Sequence, residues 1–182
     1  AKLTVEGDLS QLPVHENLVW KAGRALQNAT GCQDGARIML KKGIPVSSGL
    51  GGGSSDAATT LKALNQLWEL RLSREELCSV AMTLGADVPF FLYGGTALAE
   101  GKGHSITPLP TLSPRCLVVA CPDAVINSKT RQLYSLVSPE IFTDGTRTQR
   151  ALNAIQLGQE VDDLLFNVFK PLVYHVFPHT KI

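Results

Sequence analysis

Apolar and polar positions alternate over residues 1–6, which predicts a β-strand at the start of the chain. Residues 16–28 carry Leu18, Ala22, Ala25 and Leu26 at helical spacing, and Gly31 follows as a stop signal. Alternation returns over 36–41, with Ile38 and Leu40 facing one way, and predicts a second strand. A loop over 42–54 then leads into a long helix, 55–69, whose inner stripe is Ala57, Leu61, Leu64, Leu67 and Trp68. Ser73 with Glu76 forms a capping box that opens another helix, with Leu77, Val80, Ala81 and Leu84 on its apolar face and Gly85 at its end. Residues 90–93 and 96–99 read as short strands joined at Gly94-Gly95. Trp20 and Trp68 fall on helical stripes and read as core.

Prolines 108, 110 and 114 break this pattern and mark a boundary. Beyond it, residues 116–121 predict a buried strand, and 128–137, 148–157 and 170–176 predict helices. Two domains are expected, 1–110 and 111–182. The first reads as α/β and incomplete at its start. The second reads as α+β and incomplete at its end, since no closing strand precedes Ile182.

Hydrophobic residues make up 44% of the 182, enough to build a core. Seventeen Lys and Arg against sixteen Asp and Glu leave a net charge of +1. No global field draws the chain to nucleic acid or an anionic membrane, and no apolar run reaches the length of a span. Cysteines stand at 32, 78, 116 and 121 without a Cys-x-x-Cys spacing. Cys116 and Cys121, five positions apart on a strand, would face opposite ways. All four read as buried or free thiols of a reducing compartment, and no metal site is expected. His175 and His179 share an i, i+4 spacing, but Pro178 between them is incompatible with a helix there. Oligomeric state is left open.

The chemistry concentrates in Pro45-Val46-Ser47-Ser48-Gly49-Leu50-Gly51-Gly52-Gly53-Ser54-Ser55 and the Asp56 that follows. Four of the five residues 49–53 are glycine, at a high cost in backbone entropy. Glycine lets the backbone approach a ligand and aim successive N–H groups at it. A helix start directly behind adds unpaired N–H groups and roughly half a positive charge. Together these describe a phosphate cradle. A helix terminus supplies only about 0.3–2 kcal/mol toward an anion, whereas a micromolar nucleotide needs about 8 kcal/mol. Several charge-assisted hydrogen bonds, a metal and a base pocket must supply the rest. The loop lacks the lysine of a Walker A motif, and the sixth position from Gly49 is Ser54, so it is not Gly-x-Gly-x-x-Gly either.

Asp87 is the sole charged residue between Glu76 and Glu100. A carboxylate between a helix end and an apolar run is paired, capping a turn, or functional. Asn17 reads as a helix-start residue. Lys41 and Lys42 could meet phosphate or base but read first as a solvated strand end, and Asp56 reads first as a carboxylate favoured by the helix dipole, with a metal contact as the alternative.

The loop resembles the second motif of the GHMP kinases, Pro-x-x-x-Gly-Leu-Gly-Ser-Ser-Ala-Ala, with glycine inserted and Asp56 placed before Ala57-Ala58. Two further stretches resemble the same family: Leu84-Gly85-Ala86-Asp87-Val88-Pro89 and Gly94-Gly95-Thr96-Ala97-Leu98-Ala99-Glu100-Gly101. The likeness runs from about residue 14 to 110. It implies a two-domain α/β (α+β) fold. The first domain would be like domain 2 of ribosomal protein S5, and the second a truncated ferredoxin-like domain. It implies ATP, with Mg²⁺, as phosphoryl donor to a small-molecule alcohol, in the bacterial cytoplasm or in a plastid. The inserted glycines and Ala-Asp-Val-Pro are those of a branch whose acceptor carries a diphosphate and belongs to isoprenoid biosynthesis. Other branches take homoserine, mevalonate or sugars, and a non-catalytic nucleotide-binding piece is the remaining alternative. By resemblance, residues 45–55 and Asn17 would hold ATP, Asp87 would accept the hydroxyl proton, and Asp56 and Thr130 would meet the substrate. Thr130 comes from a Ser-Thr-x-x-x-Tyr pattern in which Lys129 replaces the serine. Residues 166–171 resemble Phe-Asn-Asp-Phe-Glu-Pro with both acids lost, at Val168 and Lys170. The family's N-terminal Pro-Ala-Lys-x-Asn motif is unmatched: Ala1-Lys2-Leu3 matches three letters, but Thr4-Val5-Glu6-Gly7 continues differently, as a strand, and the third glycine-rich motif is also unmatched.

Overall fold

The computed structural model describes residues 2–9, 13–45, 48–119 and 129–176. They form two compact units, residues 1–108 and 109–182. In the first, β1 (Leu3–Gly7) and β2 (Ala36–Leu40) pair in parallel, with Leu3 opposite Ala36 and Gly7 opposite Leu40. Parallel strands need a crossover, and α1 (Leu18–Thr30) lies between them in the chain. Asn17 Oδ1 starts α1 by accepting from the Val19 N–H at 2.9 Å, and Gly31 ends it at φ 72°. The buried positions are Val19, Ala22, Gly23, Leu26 and Gln27, so Leu18 and Ala25 lie at the edge of the predicted stripe. Gly23 lies under β1: a Cβ there would fall 2.6 Å from Leu3 Cδ2.

Helix α2 (Gly52–Leu67) begins three residues before the expected 55. Its stripe runs through Ala57, Ala58, Leu61 and Leu64 to Trp68. Leu67, predicted to lie on this stripe, is exposed, because one residue before Trp68 is a rotation of about 100°. Trp68 donates its Nε1–H to Gly35 O at 3.0 Å and so joins the helix end to the approach to β2. Helix α3 (Arg74–Met82) carries the predicted capping box: Ser73 Oγ accepts from Glu76 N–H, and Glu76 Oε2 accepts from Ser73 N–H at 2.8 Å.

Residues 90–93, expected as a strand, instead belong to helix α4 (Val88–Tyr93). Four consecutive apolar residues carry no period, and Pro89 in the first turn fits a helix start, where its missing N–H costs nothing. Val88, Pro89 and Leu92 are buried, and Val88 and Leu92 join the core shared by α1, α2 and α3. A hairpin of β3 (Thr96–Glu100) and β4 (Ser105–Leu109) follows. β4 contains Pro108, a residue that sheets accept at edges and strand ends.

The second unit holds α5 (Lys129–Tyr134), α6 (Thr146–Gln156) and α7 (Lys170–Val176), with single 3₁₀ turns at Pro139–Ile141 and Asp162–Leu164. Arg115 donates to Asp162 Oδ2 at 2.6 Å and pairs with Glu160. Residues 116–119 correct the predicted buried strand: they are irregular, and Leu117, Val118 and Val119 are exposed. A buried strand needs a ladder, and residues 110–176 include no strand among those described. Cys121 lies outside the described residues, while Cys32 and Cys78 are half-buried free thiols and Cys116 is exposed. Among the described residues no helix is long and apolar enough to cross a membrane.

Candidate functional site

The glycine-rich segment is the connection from β2 to α2. Gly49 and Gly51 adopt left-handed φ of 83° and 72°, which turn the chain into the helix. Ser48 Oγ accepts from the Leu50 N–H at 3.3 Å, and the first helical bond runs from Ser55 N–H to Gly51 O at 2.9 Å. Among the described residues none accepts from the N–H of Gly49, Gly51, Gly52, Gly53 or Ser54. The first turn of any helix leaves such donors over. Here two glycines in the left-handed region extend the row backwards into the loop.

Three neighbours fix the shape of this run. A Cβ on Gly51 would fall 2.7 Å from the Phe91 ring, and one on Gly52 would fall 3.1 Å from Ile44. One on Gly53 would meet only Leu18 Cδ1, at 3.4 Å. Phe91 belongs to α4, and its carbonyl accepts from Lys62 Nζ at 3.1 Å, so α4 is bound to α2 at two heights. Asp87 is exposed and immediately precedes α4, with no side-chain hydrogen bond to the helix start. At 1.5 Å per residue it stands about 6 Å along the axis from Phe91. On its other side, Gly103 in the β3–β4 turn lies against Ala86, where a Cβ would fall 2.4 Å from Ala86 O. Asn17 precedes Leu18, the residue that touches Gly53, and its Oδ1 already serves the start of α1.

The structure thus gathers Asn17, Ser48–Ser55 and α4 around one helix start. Pro45 is exposed at the loop's entrance, and Val46 and Ser47 lie outside the described residues. Thr130 lies in α5 of the second unit, with its side chain outside the described residues. Lys42 corrects the expectation of a solvated strand end. Its side chain is 17% exposed and its Nζ pairs with Asp56 Oδ2, so Asp56 is not merely a dipole-favoured carboxylate. Charge complementarity is the signal that could have found this pair, but nothing in the local pattern joins its members.

The match to known proteins covers the same region. A family model described as GHMP kinases N terminal domain matches residues 17–95. A protein of Delftia acidovorans named 4-diphosphocytidyl-2-C-methyl-D-erythritol kinase is 54% identical over 171 residues, 91% of this chain and 56% of that protein. Proteins of the same name from Acidovorax sp. (strain JS42) and Thermodesulfovibrio yellowstonii are 52% and 38% identical, over 73% and 97% of this chain and 47% and 63% of theirs. A solved structure of 4-(cytidine 5'-diphospho)-2C-methyl-D-erythritol kinase matches with a TM-score of 0.74 at 34% identity, covering all of this chain and 64% of that one. The chain spans about half the length of the curated relatives it matches. With the loop, the Ala-Asp-Val-Pro turn and the fold all in agreement, the chain belongs to the GHMP kinase family.

Proposed function

We propose that this chain carries the nucleotide site of an ATP-dependent kinase for 4-diphosphocytidyl-2-C-methyl-D-erythritol, phosphorylating its 2-hydroxyl and releasing ADP. The observation that carries the reading is that, among the described residues, none accepts from the amides of Gly49, Gly51, Gly52, Gly53 and Ser54 at the start of α2. Each amide that meets a phosphate oxygen makes a charge-assisted bond, worth about 1.5–3 kcal/mol, so three or four supply most of a micromolar affinity. Asp87 would take the proton as the substrate oxygen bonds to the γ-phosphorus and the bond to the β–γ bridging oxygen breaks. Phosphoryl transfer depends mainly on positioning and charge neutralisation. Asn17, beside the same helix start, would face the nucleotide. Thr130 and Asp56 remain the candidate substrate contacts, although Asp56 is already engaged by Lys42.

Mg²⁺ supplies charge neutralisation on the phosphates when bound. Among the described residues no group of three His, Cys, Asp or Glu converges to hold a metal. Mg²⁺ would be held chiefly by the phosphate oxygens and water, as is usual for it. The names of the relatives and the glycine insertion support this acceptor over homoserine, mevalonate or a sugar. A coupled ADP-release assay across these four alcohols tests it, with turnover expected on the diphosphate-bearing alcohol. Preference for any other alcohol refutes the substrate. A thermal shift with Mg-ATP but no turnover identifies a nucleotide-binding module instead.

A further inference from the structure

The two roots of the glycine loop are joined by an ion pair, Lys42 with Asp56. Lys42 lies two residues past the end of β2, and Asp56 lies four residues into α2. Lys42 Nζ meets Asp56 Oδ2, with the two side chains only 17% and 27% exposed. The main chain of Lys42 is held as well: its N–H donates to Asp8 Oδ2 at 3.0 Å, and the Asp8 N–H donates to Leu40 O at 2.9 Å. Lys42 is therefore anchored to the end of β1 through its backbone and to α2 through its ammonium. The segment 43–55 is closed between those anchors.

Closure matters because this segment is rich in glycine, the residue with the most freedom to lose on ordering. Among its described residues only the amides of Ser48, Leu50 and Ser55 donate within the segment. A bound anion would otherwise have to order the loop at the moment of binding, which weakens affinity. We propose that Lys42 and Asp56 are a positioning pair, a tie across the loop's roots that keeps the amides of residues 49–54 arranged for an anion before one arrives. The inference rests on the loop being the ATP phosphate site. It assigns Lys42 no contact with phosphate.

The test uses the full chain with Lys42→Met, Asp56→Ala, the double variant and Lys42→Arg. In nucleotide-free protein, hydrogen exchange is followed at the Ser55 amide, which closes the first helical bond. Mg-ATP affinity is measured by calorimetry. Each single variant is expected to speed exchange at Ser55 and weaken Mg-ATP by about tenfold, and the double by no more than the larger single, since either change already cuts the tie. Lys42→Arg should retain most of both properties. If the two single effects add, there is no pair and the inference falls. If Asp56→Ala binds Mg-ATP as tightly as the unaltered chain or tighter, while Lys42→Met and the double are equally weak, Lys42 is a direct phosphate ligand and the inference falls. Coupled exchange effects in a chain that binds no Mg-ATP would uphold the tie and overturn the ATP reading.

Discussion

Substituting alanine at Gly51 and at Gly53, two positions apart in one loop, separates packing from ligand binding. Gly51 sits at φ 72°, where a side chain costs about 1–2 kcal/mol. Its new Cβ would also stand 2.7 Å from the Phe91 ring, an overpacking worth about 1–3 kcal/mol. Gly51→Ala should therefore destabilise the first unit by about 2–5 kcal/mol, a large share of a typical domain's stability. Gly53 lies inside the first turn of α2, without left-handed strain, and its new Cβ would meet only Leu18 Cδ1, at an ordinary 3.4 Å. Gly53→Ala should leave stability unchanged or raise it by up to about 1 kcal/mol, the helix propensity difference. For nucleotide the two should act alike. A methyl group in the cradle that displaces one charge-assisted bond costs about 1.5–3 kcal/mol, at least tenfold in Kd. Urea unfolding gives the first quantity and calorimetric titration with Mg-ATP the second. A Gly53→Ala chain that binds Mg-ATP as well as the unaltered one would refute the cradle. Unchanged stability in Gly51→Ala would refute the packing account.

Asp87→Asn should lower kcat by about 10²–10⁴ while leaving the Mg-ATP Kd within about twofold, and equal losses in both would remove Asp87 from proton transfer. Leu61→Ala, at a position with 0% exposure at the centre of the core, should cost about 2–5 kcal/mol in urea unfolding; a loss under about 1 kcal/mol would mean the core is loosely packed there. The backbone N–H of Ser73, and then its hydroxyl, hold the Glu76 carboxyl below its ordinary value. The stability this contributes is complete above the ordinary glutamate range and is lost as pH falls through the lowered value. Glu76→Gln should flatten the fall in urea midpoint below about pH 4.3, and an unchanged acid slope would show that other carboxylates account for it.

Elements with both a period and a cap were legible from sequence. Helix α1 has the Asn17 start and the Gly31 stop, α3 has the Ser73–Glu76 box, and each stands where the pattern put it. Elements without a period were not. Phe90-Phe91-Leu92-Tyr93 is apolar at every position, so neither a repeat of two nor one of 3.6 can be read from it, and Pro89 decided for the helix. Residues 116–119 failed for the opposite reason. Their composition suits a buried strand, but burial depends on partners elsewhere in the chain, and those residues are exposed. The Lys42–Asp56 pair is hidden for a related cause. Its members are 14 positions apart, beyond any helix or strand spacing, and only the docking of the β2 end on the α2 start brings them together.

The glycines themselves show how far a packing explanation reaches before a ligand is required. Gly49 and Gly51 are demanded by their left-handed backbones, and Gly51 again by Phe91. Gly52 is pressed by Ile44 at 3.1 Å, where a methyl group would have to displace its neighbour. All three glycines would suit a loop that binds nothing. Gly53 has no such excuse: its backbone is helical, its neighbour is at ordinary distance, and alanine would hold the helix better. A residue that weakens its own helix with no internal compensation calls for something outside the chain to occupy the space a side chain would take. The amides of Gly52, Gly53 and Ser54, without an acceptor among the described residues, face that requirement as donors. A ligand that satisfies both must be negatively charged, rich in acceptors and able to approach bare backbone, which is the chemistry of a polyphosphate.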